Sequence, residues 1–123
     1  MKNSVKRSEN LIKQVSAYIS RSREADLPAE VIKKAKHHIL DTLSAAVSGS
    51  TLKPGQLAKK FVESQIGNEE AQVVSSSIVT SAINAAFANG VMAHADETDD
   101  NHSMSKIHPG CAVVPAALSM SER

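Results

Sequence analysis

The sequence predicts an all-α fold, and three observations carry that reading. Hydrophobic residues make up 41% of the 123 residues, yet aromatic ones make up 2%, with no Trp, one Tyr and two Phe. A core must then be built from Ala, Val, Ile, Leu and Met, a mix that suits closely packed helices better than aromatic and β-branched strands. Apolar residues recur at spacings of three and four along most of the chain, and Gly and Pro punctuate the stretches between them.

Each element follows from its local pattern. Residues 8–22 form a first predicted helix, with Leu11, Ile12, Val15, Tyr18 and Ile19 on one stripe. A polar break from Arg21 to Asp26 leads to Pro28, which suits a first helical turn, and Glu30 sits where the helix dipole favours an acid. The second helix continues through Ile32, Ala35, Ile39, Leu43, Ala46 and Val47 and ends at Gly49. Lys53-Pro54-Gly55 reads as a turn, followed by a third helix over 55–66 on Leu57, Phe61, Val62 and Ile66, capped by Gly67. Ala71 to Val74 reads as one short extended segment, and Ser75 to Ser77 as a cap-like cluster. A fourth helix over 79–93 holds Ile83, Ala86, Phe87, Ala88 and Val91, and its small residues allow neighbours to approach closely. From Pro109 a fifth helix begins, with Val113, Val114, Ala116, Ala117, Leu118 and Met120. Its apolar pattern is still running at Arg123, so the chain reads as truncated within a helix at its carboxyl end.

Charge and cysteine content narrow the function classes. The net charge is +1, from 14 Lys and Arg against 13 Asp and Glu, which leaves no electrostatic footprint for nucleic acid. The single cysteine, Cys111, excludes an internal disulfide and a four-cysteine iron–sulfur site from this chain alone. The start, Met1 to Asn10, is polar and lacks the apolar core of a signal peptide, and no run approaches a membrane span. A cytoplasmic protein in a reducing compartment is the expectation, with no membrane and no nucleic-acid partner.

Residues 94–108 differ from the rest. They have no helical stripe, and they hold three of the chain's five histidines, together with Asp96, Glu97, Asp99 and Asp100. Carboxylates and imidazoles so crowded shift one another's proton affinities, the condition for acid–base work. Three readings stand open on composition: a solvated acidic loop with helix-capping Asp residues, a divalent-metal site of His and carboxylate ligands, and an acid–base catalytic loop. Pro109 and Gly110 turn the backbone sharply into the next helix, whose amino end can help hold an anion.

The run from Ala85 to Asp100, an Ala-rich helix ending in Asn89-Gly90 with Ala93-His94 leading into an Asp-rich loop, resembles the signature of the MmgE/PrpD family. His108-Pro109-Gly110 and Val114-Pro115-Ala116-Ala117-Leu118 are similar to its continuation, and Ile39-Leu40-Asp41-Thr42-Leu43 to its first long helix. The family includes 2-methylcitrate dehydratase, cis-aconitate decarboxylase and an iminodisuccinate epimerase. The resemblance implies that residues 1–123 are the amino-terminal part of the helical domain of a two-domain protein. It implies a lyase acting on a small di- or tricarboxylate, with no cofactor and no metal, in a parent protein that is a homodimer. An isomerase or epimerase of the same family, and a non-catalytic truncated product, are the alternatives.

Such chemistry needs a base to take a carbon-bound proton and an acid to protonate a leaving group or carbanion. Carried over by position, His108 is the catalytic imidazole. The first acid of the family's loop falls on Glu97, a departure from Asp that leaves Asp96, one residue earlier, as the other candidate. The remaining polar groups of the segment, His94, Asp99, Asp100, His102 and Lys106, are expected to shape the loop and contact substrate. Blander roles suit the others: His37 and His38 on a helix flank, Asp41 as a structural group facing a neighbouring helix or loop, and Cys111 as a small buried residue beside the motif.

Overall fold

The computed structural model describes residues 2–123, with side chains from Asn10 onward, so most of the polar start between Met1 and Asn10 lies outside the side chains described. Among the described residues it contains five helices and one pair of very short strands: α1 (Lys2–Ser22), α2 (Ala29–Gly49), α3 (Lys53–Glu63), β1 (Ala71–Gln72), β2 (Val79–Thr80), α4 (Ala82–Ala93) and α5 (Gly110–Glu122). The all-α expectation holds. No described helix is long and apolar enough to cross a membrane.

The chain divides into two compact units, Met1–Ile32 and Lys33–Arg123. In the first, α1 begins well before the predicted residue 8, and its stripe of Leu11, Ile12, Val15, Tyr18 and Ile19 is exposed. The start of α2 lies in the same unit. Pro28 stands just before it rather than inside it, and its carbonyl accepts from the amides of Val31 and Ile32 at 2.9 and 3.1 Å.

The second unit holds the core, built from Ala46, Ala58, Val62, Ala71, Val73, Ala82, Ala85, Ala88, Met92 and Ala93, with Val74, Ile78, Val91 and Cys111 packed against it. Small residues dominate, as the composition requires. This shifts the expected face of α2: Ala46 is buried as expected and Leu43 half-buried, but Ile39 and Val47 are exposed, while Thr42, Ala45 and Gly49 go inside. The reason is close backbone approach. A Cβ on Gly49 would collide with the Met92 carbonyl of α4, so glycine alone permits this crossing. α4 shows the same shift, for Ile83 is 82% exposed while Ala85, Ala88 and Met92 have no exposure.

Three boundaries in the second unit also differ from the sequence reading. α3 starts at Lys53, because Pro54 fits a first helical turn where its missing N–H is no loss. It ends at Glu63 with Ser64 as the cap: the Ser64 amide bonds back to the Phe61 carbonyl and the Gln65 amide to the Val62 carbonyl, both at 3.1 Å, so the cap falls three residues before Gly67. The fourth helix starts at Ala82 instead of 79, because Val79 and Thr80 pair antiparallel with Gln72 and Ala71. Ser75 to Ser77 is the turn of that hairpin, not a helix cap: the Ser76 hydroxyl donates to the Val73 carbonyl and accepts from the Ile78 amide. The α4 cap is Ser81, which accepts from the Asn84 amide at 3.4 Å.

Asn89 locks the hairpin to α4. It is buried, donates to the Gln72 carbonyl at 3.1 Å and accepts from the Val74 amide at 2.8 Å. Pro115 stands inside α5 and lacks the N–H that the Cys111 carbonyl would otherwise take. That carbonyl lies instead against Gly90 of α4.

Replacing Met92 by Ala is expected to cost about 2–5 kcal/mol, the usual range for emptying a buried position. Ile83→Ala, on the exposed side of the same helix, should stay within about 0.5 kcal/mol. Urea unfolding of the two variants checks this, and equal losses at both positions contradict the packing described.

Candidate active site

Residues 94–109 connect the end of α4 to the start of α5, and the loop is held at three points. His94 is the α4 C-cap, its amide bonded to the Gly90 carbonyl at 3.2 Å. In the middle, His102 and Ile107 form an isolated antiparallel bridge around a turn of Ser103 to Lys106. At the far end the amide of Gly110, the first residue of α5, donates to Asp100 Oδ1 at 2.8 Å. A Cβ on Gly110 would run into Asp100 and the Thr42 hydroxyl, so the tight junction requires glycine.

The three aspartates of the loop have three different fates. Asp99 is the buried one, its side chain 0% exposed. Its Oδ1 lies 3.0 Å from His94 Nδ1 and 3.2 Å from His108 Nδ1, and the two imidazoles stand 4.9 Å apart at 60°. The His94 contact is a hydrogen bond, with Oδ2 also at 3.2 Å. The His108 contact is close but off-angle, and that buried nitrogen has no other partner. Burial alone would push the Asp99 carboxyl up; the His94 bond, the Cys111 thiol and the charges of both imidazoles outweigh it and hold it below its ordinary value.

Asp100 reaches outward to α2, where His38 Nδ1 lies 3.7 Å from its Oδ2. Asp96 ties the loop to the end of α2, accepting from the Ser48 hydroxyl at 2.7 Å, and also takes the Thr98 hydroxyl at 2.7 Å and the Thr98 amide at 3.3 Å. The Ser48 and Thr98 bonds hold its carboxyl below the ordinary range.

The expected site residues therefore separate. The structure brings His94, Asp99 and His108 together, with Cys111 beside them, its thiol donating to the His108 carbonyl at 3.1 Å. Asp99 faces the two imidazoles from a buried position rather than standing free for substrate. Glu97 and Lys106 are exposed, each in the left-handed backbone region at φ 55 and 52, and neither side chain makes a hydrogen bond or ion pair among the described residues. His102 is occupied within its own turn, its Nδ1 against the Ser105 hydroxyl. Sequence reasoning missed His38 and Ser48, which the fold brings to the loop from α2. His38 is half-buried rather than a free flank residue, and Asp41 is exposed instead of facing a neighbour. The spacing of His38 and Thr42, one helical turn apart, was the available signal.

One ligand atom each from His94, Asp99 and Cys111 falls within 4.8 Å of the others, a donor set of the kind zinc takes. For a cation to sit there, Asp99 must give up its imidazole partners. Cys111 must also lose a proton from a thiol that burial pushes up, with Asp99 and Asp100 adding to the rise. His38 also lines an apolar groove of about 500 Å³ between α2 and α5, with Ile39, Leu43, Val113, Ala117 and Leu118.

Comparison with known proteins agrees with this architecture. The MmgE/PrpD N-terminal domain model matches residues 13–123, and the chain belongs to that family. It is 26% identical over 113 residues to a cis-aconitate decarboxylase-like protein of Aspergillus oryzae, covering 92% of this chain and 23% of that protein. It is 29% identical over 100 residues to a cis-aconitate decarboxylase of Aspergillus terreus, covering 79% of this chain and 20% of that protein. The chain thus spans about a fifth of the length of the curated relatives it matches. No solved structure matches it.

The pH dependence of stability follows from Asp99 and Asp96, whose carboxyls both lie below the ordinary 3.8 in the folded chain. Below that value the unfolded chain binds protons that the folded chain resists. The stabilisation is complete above the ordinary value and is lost as pH falls through the lower folded values. Urea midpoints should drop between about pH 5 and 3, and Asp99→Asn should shrink that drop. A folded Asp99→Asn chain with the full wild-type drop contradicts the assignment.

Proposed function

We propose that this chain supplies one wall of a lyase site that acts on a small di- or tricarboxylate by general acid–base chemistry, without a cofactor. The observation that carries the reading is the buried Asp99 carboxylate flanked by His94 and His108 in the family's loop. His108 is the proton-transfer group: its ring is 31% exposed and so open to a substrate while anchored on its inner side. An imidazole nitrogen can take a proton and give it back, as proton transfer at carbon requires.

Glu97 suits the second role better than Asp96. A general acid must be free to bind and release a proton, and the Asp96 oxygens are committed to Ser48 and Thr98. Glu97 is exposed and unengaged among the described residues. Lys106, His94, Asp100 and His102 are the groups proposed to contact or frame the substrate. A di- or tricarboxylate needs several cationic partners, and beside these imidazoles the loop offers Lys106. The remaining cations are therefore proposed to come from the four-fifths of the relatives' length that this chain does not span. The parent assembly is proposed to be a cytoplasmic homodimer, and the 123-residue chain alone to be inactive.

Three measurements test the reading. The isolated chain should not turn over cis-aconitate or 2-methylcitrate, and turnover at ordinary enzyme rates contradicts it. Elemental analysis of the dialysed chain should find no stoichiometric zinc, iron or manganese; near one equivalent overturns the metal-free chemistry. In the complete protein, His108→Gln should keep the thermal melt and lower turnover about a hundredfold or more, while His37→Gln, exposed on α2, should stay within a few-fold. A folded His108→Gln enzyme with near-normal turnover removes His108 from the mechanism.

A further inference from the structure

The acid–base reading leaves open which nitrogen of each imidazole carries the proton. The surroundings of Asp99 answer that question. A carboxylate oxygen only accepts hydrogen bonds. Asp99 Oδ1 has His94 Nδ1 at 3.0 Å and His108 Nδ1 at 3.2 Å, and the carboxylate is fully withdrawn from water. A ring nitrogen presenting a lone pair at that distance would set two lone pairs against each other where no water can intervene. A ring nitrogen presenting N–H is attracted instead. His108 Nδ1 is itself buried and makes no well-angled hydrogen bond, and the charged Asp99 oxygen 3.2 Å away is the acceptor that an N–H there would face.

Of the other groups around the pair, the Cys111 thiol of α5 donates to the His108 carbonyl, is held protonated by burial and also supports Asp99 as a donor, so it takes no imidazole proton. Asp100 is engaged with the Gly110 amide and His38 of α2. Asp96 is engaged with Ser48 of α2 and with Thr98.

We propose that Asp99 is a positioning residue that fixes the proton of both His94 and His108 on Nδ1, so that each ring keeps an unprotonated Nε2 as its proton-accepting edge. A free imidazole in water favours the opposite tautomer, with the proton on Nε2 and the lone pair on Nδ1. Asp99 thus converts two ordinary histidines into a pair of bases backed by one buried charge. The imidazolium formed when either Nε2 takes a proton keeps that charge as its counter-ion. His94 becomes, on this geometry, a second proton acceptor 4.9 Å from His108. The proposal deepens the acid–base reading and rests on it for its catalytic meaning; the tautomers themselves do not.

The test is a long-range proton–nitrogen correlation spectrum of the ¹⁵N-labelled 123-residue chain at about pH 8.5, above the ordinary histidine range. His94 and His108 are expected to show a protonated Nδ1 and a bare Nε2, and exposed His37 the reverse, as in water. In Asp99→Asn the new amide can donate to a bare Nδ1, so both rings should switch to the Nε2–H form. Nε2–H on either ring of the wild-type chain overturns the proposal, and so do unchanged tautomers in a folded Asp99→Asn chain. If that variant does not fold, the wild-type spectrum alone decides. No turnover is needed for the measurement. Expected tautomers beside a complete protein that lacks lyase activity leave this inference standing and sink the acid–base reading, whereas Nε2–H rings in an active protein do the reverse.

Discussion

A carboxylate with no access to water has to find its donors within the protein, and Asp99 finds them on both sides of its own loop. His94 closes α4 and His108 immediately precedes the entry to α5, so one buried charge ties together the two helix ends that frame the site. Opening the loop at either end takes one imidazole from that charge, and a buried carboxylate short of donors is among the costlier defects a fold can carry. The neighbouring acids then act as outer stays. Asp100 fastens the α5 amino end and reaches His38, and Asp96 fastens the loop to Ser48 at the end of α2. With three carboxyl groups so committed, Glu97 is left as the free acid of the segment.

The packing beneath the loop makes this arrangement attainable. Gly49 of α2 meets the Met92 backbone of α4, and Gly110 fits between Asp100 and Thr42. These contacts set backbone against backbone or short side chain, so the helix ends converge to within reach of groups as short as Asp and Ser. An Ala-rich α4 and a core almost without aromatic residues follow from the same requirement. Larger side chains at the crossings would lift the helices apart and take Ser48 and His38 out of reach of the loop.

The fold class was legible in the sequence because helix periodicity survives without knowledge of tertiary contacts. The buried faces were less so. Ile39 and Ile83 look like core residues by hydropathy, but where backbones touch it is Ala, Gly and Thr that go inside. The hairpin was half-read: Ala71 to Val74 registered as extended, while its partner Val79-Thr80 was absorbed into the helix that follows. For the site, the clustering of His, Asp and Glu between residues 94 and 108 was plain, and His94, Asp99 and His108 do converge. Which aspartate is buried could not be read from spacing, because the answer depends on Ser48 and His38, which are distant in sequence.

Membership of the MmgE/PrpD family gives these contacts a chemical context, and the central claim is that the loop moves protons at a substrate carbon. The most direct measurement is isotope exchange by the complete protein in deuterium oxide, with cis-aconitate and 2-methylcitrate as substrates and proton and carbon NMR as the readout. The account predicts enzyme-dependent deuterium at carbon in the decarboxylation product of cis-aconitate, and, for 2-methylcitrate dehydration, a slower rate when the departing carbon-bound hydrogen is replaced by deuterium. Decarboxylation of cis-aconitate with no deuterium at product carbon, or a well-folded complete protein that converts neither compound, contradicts it.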